Sequence, residues 1–244
     1  MNKPFIKAGF LGLLVIGMSI VLIMVFPSKA PWMMDGFSTP IMAFEFVESP
    51  GEVSKLFGLS GSLDQVSKTQ AMTHSMIQAM DSGNKLDYIY MFLYSSFLFF
   101  FSIVCVKQSR QKLYYAGSVL AVIILIADIF ENIQLLKITA KLTTLDFVKE
   151  LSLLHWFTWM KWGGITTVFL ILVPYFFKGR IFSKLIGLIG ISSFILSLLA
   201  YFNRSALNEL MGMSVALMFI MMITYCFFYK TRPEKAVQFN IDKV

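Results

Sequence analysis

Apolar residues run along this chain in long unbroken stretches, not in alternation. A helix needs about 20 mainly apolar residues to cross a bilayer core of about 30 Å, at about 1.5 Å per residue. Six stretches are near or above that length: residues 10–26, 86–106, 114–136, 151–177, 181–202 and 210–229. None alternates with the period of two that a barrel strand needs, so all six are predicted to be helices. The predicted fold is an all-α integral membrane protein, a six-transmembrane-helix bundle. A small helical extracytoplasmic cap lies between the first and second spans. The chain then divides into a signal anchor and first span (1–26), the cap (27–85), a five-helix membrane bundle (86–229) and a cytoplasmic tail (230–244).

The cap is too short to bury much core alone and is expected to lie on the bundle. Ser49-Pro50-Gly51-Glu52 predicts a helix start, with Ser as N-cap, Pro at the first position and Glu three residues on; Gly58 ends that helix. A second helix is predicted from Leu63 to Ser82, ended by Gly83-Asn84. Pro31-Trp32-Met33-Met34 and Phe44-Glu45-Phe46 read as aromatic and apolar segments at a membrane interface.

Composition supports the same class. Of 244 residues, 57% are hydrophobic and 14% charged, and mean hydropathy is +0.72. Soluble domains carry about 45–50% apolar and about 25% charged residues. Two cysteines exclude a disulfide scaffold, and 25 phenylalanines exclude a disordered chain. The net charge of +7 is informative only through its placement. With the N-terminus cytoplasmic, the inner segments hold twelve basic and two acidic residues, and the outer segments eight basic and nine acidic. The positive-inside rule therefore predicts a multi-pass protein of the cell (inner) membrane with both termini cytoplasmic and residues 27–85 outside. The basic excess is a topology signal, and no nucleic-acid partner is expected; the lipid bilayer is. The first apolar run exceeds the 7–15 residues usual for a signal peptide, and Pro31 follows Ser28-Lys29-Ala30 closely, so the first span is expected to be retained.

Ionisable groups inside spans are costly and mark candidate sites. Span two carries Asp87, Tyr90, Met91 and Tyr94 within one arc. Span three places Asp128, Glu131 and Asn132 on one face, and span four places His155, Thr158, Trp159 and Trp162 on another, with Lys161 beside Thr158. By topology all three sets fall in the outer half, under the cap. The candidate ligand-binding residues are Asp87, Tyr90, Tyr94, Asp128, Glu131, Asn132, His155, Trp159 and Lys161. A pair between Lys161 and Asp128 or Glu131 is the cheapest way to hold either charge at that depth. The carboxylates left over can take up protons, pair with His155, or bind a cation or an amine.

No phosphate-binding, zinc-spacing or Gly-x-Ser-x-Gly motif occurs, and no cofactor or metal site is predicted. Met72, His74 and Met76 suggest copper chemistry, but helical spacing sends His74 about 200° away from Met72, which favours a packing stripe of Met72, Met76 and Met80. Cys105 and Cys226 are expected to be packing residues. Three functions fit: an outward-facing site that binds or transports a cation, proton or amphipathic ligand such as a lipid; an outer-leaflet lipid-modifying enzyme using carboxylates and His155; or a structural, partner-binding subunit. The first is the reading carried forward, and against it stands a cluster that merely fixes helix register.

Overall fold

The computed structural model describes residues 3–59 and 66–229, the side chains of 66–71 excepted. The start predicted at Leu63 and the tail 230–244 lie outside the described residues. Among the described residues eight α-helices follow in order: α1 (Ile6–Val25), α2 (Pro40–Glu45), α3 (Pro50–Leu56), α4 (Val66–Ser109), α5 (Tyr115–Ala140), α6 (Val148–Phe177), α7 (Ile181–Phe202) and α8 (Ala206–Phe228). No strand occurs among the described residues. Among the described residues six helices are long and apolar enough to cross a membrane: α1, α6, α7 and α8 whole, the Met72–Ser109 part of α4, and Lys112–Ala140, which is α5 with the short turn before it. Large apolar side chains such as Phe10, Ile23, Val119, Ile181 and Phe228 cover the outside of the bundle. Water would penalise that surface and lipid would not. The chain is thus a multi-pass, membrane-type helical bundle.

Each long helix packs on the next, and α8 returns to α1, which closes the six into a ring. Phe97, Phe101, Phe169, Phe176, Met218 and Met222 fill its interior. A second apolar core sits at one end of the ring. There Phe37, Phe44, Val53 and Phe57 from the 27–59 segment meet Met76 and Met80 of α4, Leu135 and Ile138 of α5, and Leu154 of α6. Phe44 and Phe57 are fully buried, edge to face at 5.1 Å, and burial of each is worth about 1.5–3 kcal/mol.

Local chemistry explains how that segment folds. Ser49 Oγ accepts from the Glu52 amide at 3.3 Å, Pro50 opens α3, and Gly58 at φ +73° ends it in the left-handed turn that favours glycine. Glu209 on α8 fastens α2. Its carboxylate accepts from the Ser38 and Thr39 amides at 2.9 and 2.8 Å and from Thr39 Oγ1 at 2.9 Å. Arg204, between α7 and α8, fastens α3 by donating to both carboxylate oxygens of Glu52 and to the Phe46 carbonyl.

Two expectations need correction. Gly83-Asn84 does not end a helix, because α4 runs 44 residues unbroken through it and through the boundary predicted at residues 85 and 86. Packing overrides the local stop signal: the ring of Phe26 fills the place of a Gly83 side chain, and a Cβ there would lie 2.3 Å from it. Buried Asn84 also lends its carbonyl to Asn132. The methionine stripe is narrower than predicted. Met76 and Met80 are buried, whereas Met72 and His74 are exposed and share no common site. Cys105 and Cys226 are free and buried in the ring interior.

Candidate functional site

Three helices present polar groups at the spacing that stacks them on one face. On α5 these are Asp128, Glu131 and Asn132; on α6, Thr158, Lys161 and Trp162; on α4, Asn84, Asp87 and Tyr94. A fourth element completes the set. The short helix α2 ends on Glu45, which is buried and reaches down onto α6.

Lys161 Nζ lies at the centre. It is 3.0 Å from Glu45 Oε1 and 3.6 Å from Asp128 Oδ1, and it contacts Glu131 Oε2 directly. The Trp162 ring lies beside it, its centroid 5.3 Å from the ammonium. Trp162 Nε1 donates to Glu45 Oε2 at 2.9 Å. The Tyr94 hydroxyl donates to Asp128 Oδ2. Asn132 spends both amide protons, one on the Asn84 carbonyl at 3.0 Å and one on Asp87 Oδ2 at 2.9 Å. Asp128 Oδ1 and Glu131 Oε2 both face the Lys161 ammonium. Thr158 Oγ1 stands 2.6 Å from Glu131 Oε1 and 3.3 Å from the Glu45 carbonyl. The hydroxyl donates to both, a three-centre bond dominated by the shorter contact with Glu131.

Three carboxyl groups, Glu45, Asp128 and Glu131, thus share one ammonium, and a fourth, Asp87, is held beside them by Asn132. If all were ionised the cluster would carry −3, a state that a water-poor interior opposes strongly. Lys161 occupies the point where Glu45, Asp128 and Glu131 converge. Among the described residues no group of three or more His, Cys, Asp or Glu side chains is arranged to hold a metal.

The cluster is not sealed. Glu45, Asp87 and Tyr90 line a cavity of about 390 Å³ between α1, α2 and α4, whose apolar walls include Leu22, Ile23, Phe26 and Ile41. Tyr90 packs against Tyr94 at 5.3 Å and so joins the cavity to the Asp128 side of the cluster.

Of the nine predicted residues, Asp87, Tyr90, Tyr94, Asp128, Glu131, Asn132 and Lys161 are brought together. His155 and Trp159 are not. His155 lies about 120° around α6 from Lys161 and is exposed, in a separate groove with Glu48, Ser152 and Trp156. Trp159 packs edge-on against Phe46 and Tyr201, at 5.2 and 5.1 Å. The buried arc of α6 runs instead through Leu154, Thr158, Lys161 and Ile165. Glu45 was missed as a site residue. Its signal is its isolation, the sole charge in the apolar run from Pro40 to Val47. Comparison with known protein families, curated proteins and solved structures finds no match.

Proposed function

We propose that this protein binds a cation, either small or the head of an amphipathic molecule, at an intramembrane acidic site, with protons taking the cation's place when the site is empty. The observation that carries this reading is the imbalance of four clustered carboxyl groups against one lysine, three of them paired with it and two, Glu45 and Asp87, on the wall of a cavity. Protons and an external cation are the two ways to neutralise the excess. Apolar walls beside Glu45 and Asp87 suit an alkylammonium better than a strongly hydrated metal ion. Lys161 then acts as a fixed internal counter-ion that keeps Asp128 and Glu131 in place. Exchange of cation for proton at such a site is the elementary step of binding and, if access alternates, of transport.

The distribution of basic residues supports an orientation with both termini cytoplasmic and the 27–59 segment on the outer face, which makes the cavity an outward-facing one. Glu209 and Arg204, by fastening α2 and α3, hold Glu45 at the cavity wall.

The test is thermal unfolding of the purified full-length protein in detergent with sodium, methylammonium or octylammonium at fixed ionic strength. Octylammonium is expected to stabilise most. The shift should vanish in Asp87→Asn and in Glu45→Gln and persist in His155→Ala. The absence of any cation-dependent shift, or an equal shift in all variants, overturns the reading.

A further inference from the structure

At the opposite end of the bundle, a second cavity of about 400 Å³ opens along the seam between α1 and α4. Its lining follows helical spacing on both sides, Lys7, Ala8 and Leu11 of α1 with Pro4 just before it, and residues 100, 103, 104, 107 and 108 of α4. That spacing makes a single continuous stripe on each helix. The floor is apolar, formed by Leu11, Phe100, Ile103 and Val104, and one end carries Lys7 and Lys107, both exposed. Among the described residues no carboxylate lines it. The same seam is therefore acidic at its Glu45–Asp87 end and basic here.

We infer that this groove binds one anionic phospholipid, its phosphate between the Lys7 and Lys107 ammonium groups and an acyl chain laid over Leu11, Ile103 and Val104. Two cations without a lining carboxylate call for an anion. A free phosphate would leave the apolar floor unused, whereas a lipid fills both halves. The distance between Lys107 and Phe100, two helical turns at about 5.4 Å each, matches the passage from headgroup into hydrocarbon. This site is independent of the cation site and stands or falls separately.

Native mass spectrometry of the full-length protein, given equal phosphatidylglycerol and phosphatidylcholine of the same chain length, tests it. One phosphatidylglycerol should be retained in preference. Each lysine is worth about fivefold in affinity, so Lys7→Gln with Lys107→Gln should weaken retention about 25-fold. Val104→Trp, which fills the groove and leaves both lysines, should lose the lipid too. Lys178→Gln with Lys184→Gln should change nothing. Equal retention of the two lipids overturns the assignment, as does a phosphatidylglycerol preference that survives in both groove variants. Release of the bound lipid by inorganic phosphate alone would also overturn it.

Discussion

Replacing Lys161 by Met removes the one positive charge at the centre of the cluster and nearly preserves side-chain volume. In the native protein the ammonium is 3.0 Å from Glu45 and 3.6 Å from Asp128, and it contacts Glu131, with only 8% of its side chain exposed. At an effective dielectric of about 20, attraction at those separations is about 5 kcal/mol per pair, largely offset by desolvation of the ions. What remains when one partner of a buried ion pair is deleted is a loss of about 3–5 kcal/mol. For a chain of this size that lowers the unfolding temperature by about 6–20 °C. The sign of the pH dependence follows. Without the lysine, the folded variant must hold more protons than its unfolded chain, so its stability rises as pH falls. Unfolding followed by circular dichroism in detergent across a pH series reads both effects. Adding Glu131→Gln to Lys161→Met should recover part of the loss, since it removes one carboxylate that lost its partner. A Lys161→Met protein within about 1 kcal/mol of the native one, with no pH slope, would refute the reasoning, since such a lysine would not be neutralising buried acids.

Adjacent glycines on α6 should respond oppositely: a Cβ on Gly164 would lie 2.6 Å from Ile124, whereas one on Gly163 meets nothing within 4 Å. Gly164→Ala is expected to destabilise by about 1–3 kcal/mol and Gly163→Ala to be neutral or stabilising, as measured by thermal unfolding. The Arg204–Glu52 contact is partly exposed, 26% and 21% of the two side chains, so Arg204→Gln should cost about 1 kcal/mol, while hydrogen exchange in α3 should accelerate. Burial pushes the Glu52 carboxyl up, but the hydrogen bonds and charge of Arg204, with amide hydrogen bonds, outweigh it and hold the carboxyl below its ordinary range. The contact's contribution is therefore fully present above the ordinary glutamate range and lost as pH falls through the lower folded value. A melting series in acid should show that loss in the native protein and not in Arg204→Gln.

The membrane helices were legible because their signal is local: a long apolar run admits little else. The polar faces of α4 and α5 were legible for a related reason, since three- and four-residue spacing fixes which side chains stack. On α6 the same spacing rule put His155 and Thr158 on one face without saying which edge of that face turns inward. Only the packing of Leu154 and Ile165 against neighbouring helices decides that Lys161 enters and His155 does not. Glu45 escaped because its partners are distant in sequence. Lys161 and Trp162 lie over a hundred residues away, and a two-turn helix leaves almost no periodic trace. The continuity of α4 was hidden by Gly83, whose role is to admit the Phe26 ring and not to end a helix.

On the proposed function, the excess carboxyl groups hold protons that a cation displaces. Infrared difference spectra of the full-length protein, recorded on adding octylammonium at constant pH, observe this directly through the carbonyl stretch of protonated carboxyl groups. Loss of that band on binding is expected, with a matching gain of carboxylate absorption, and neither change in Asp87→Asn. Spectra without a protonated carboxyl band, or the same difference spectrum in Asp87→Asn, would contradict it.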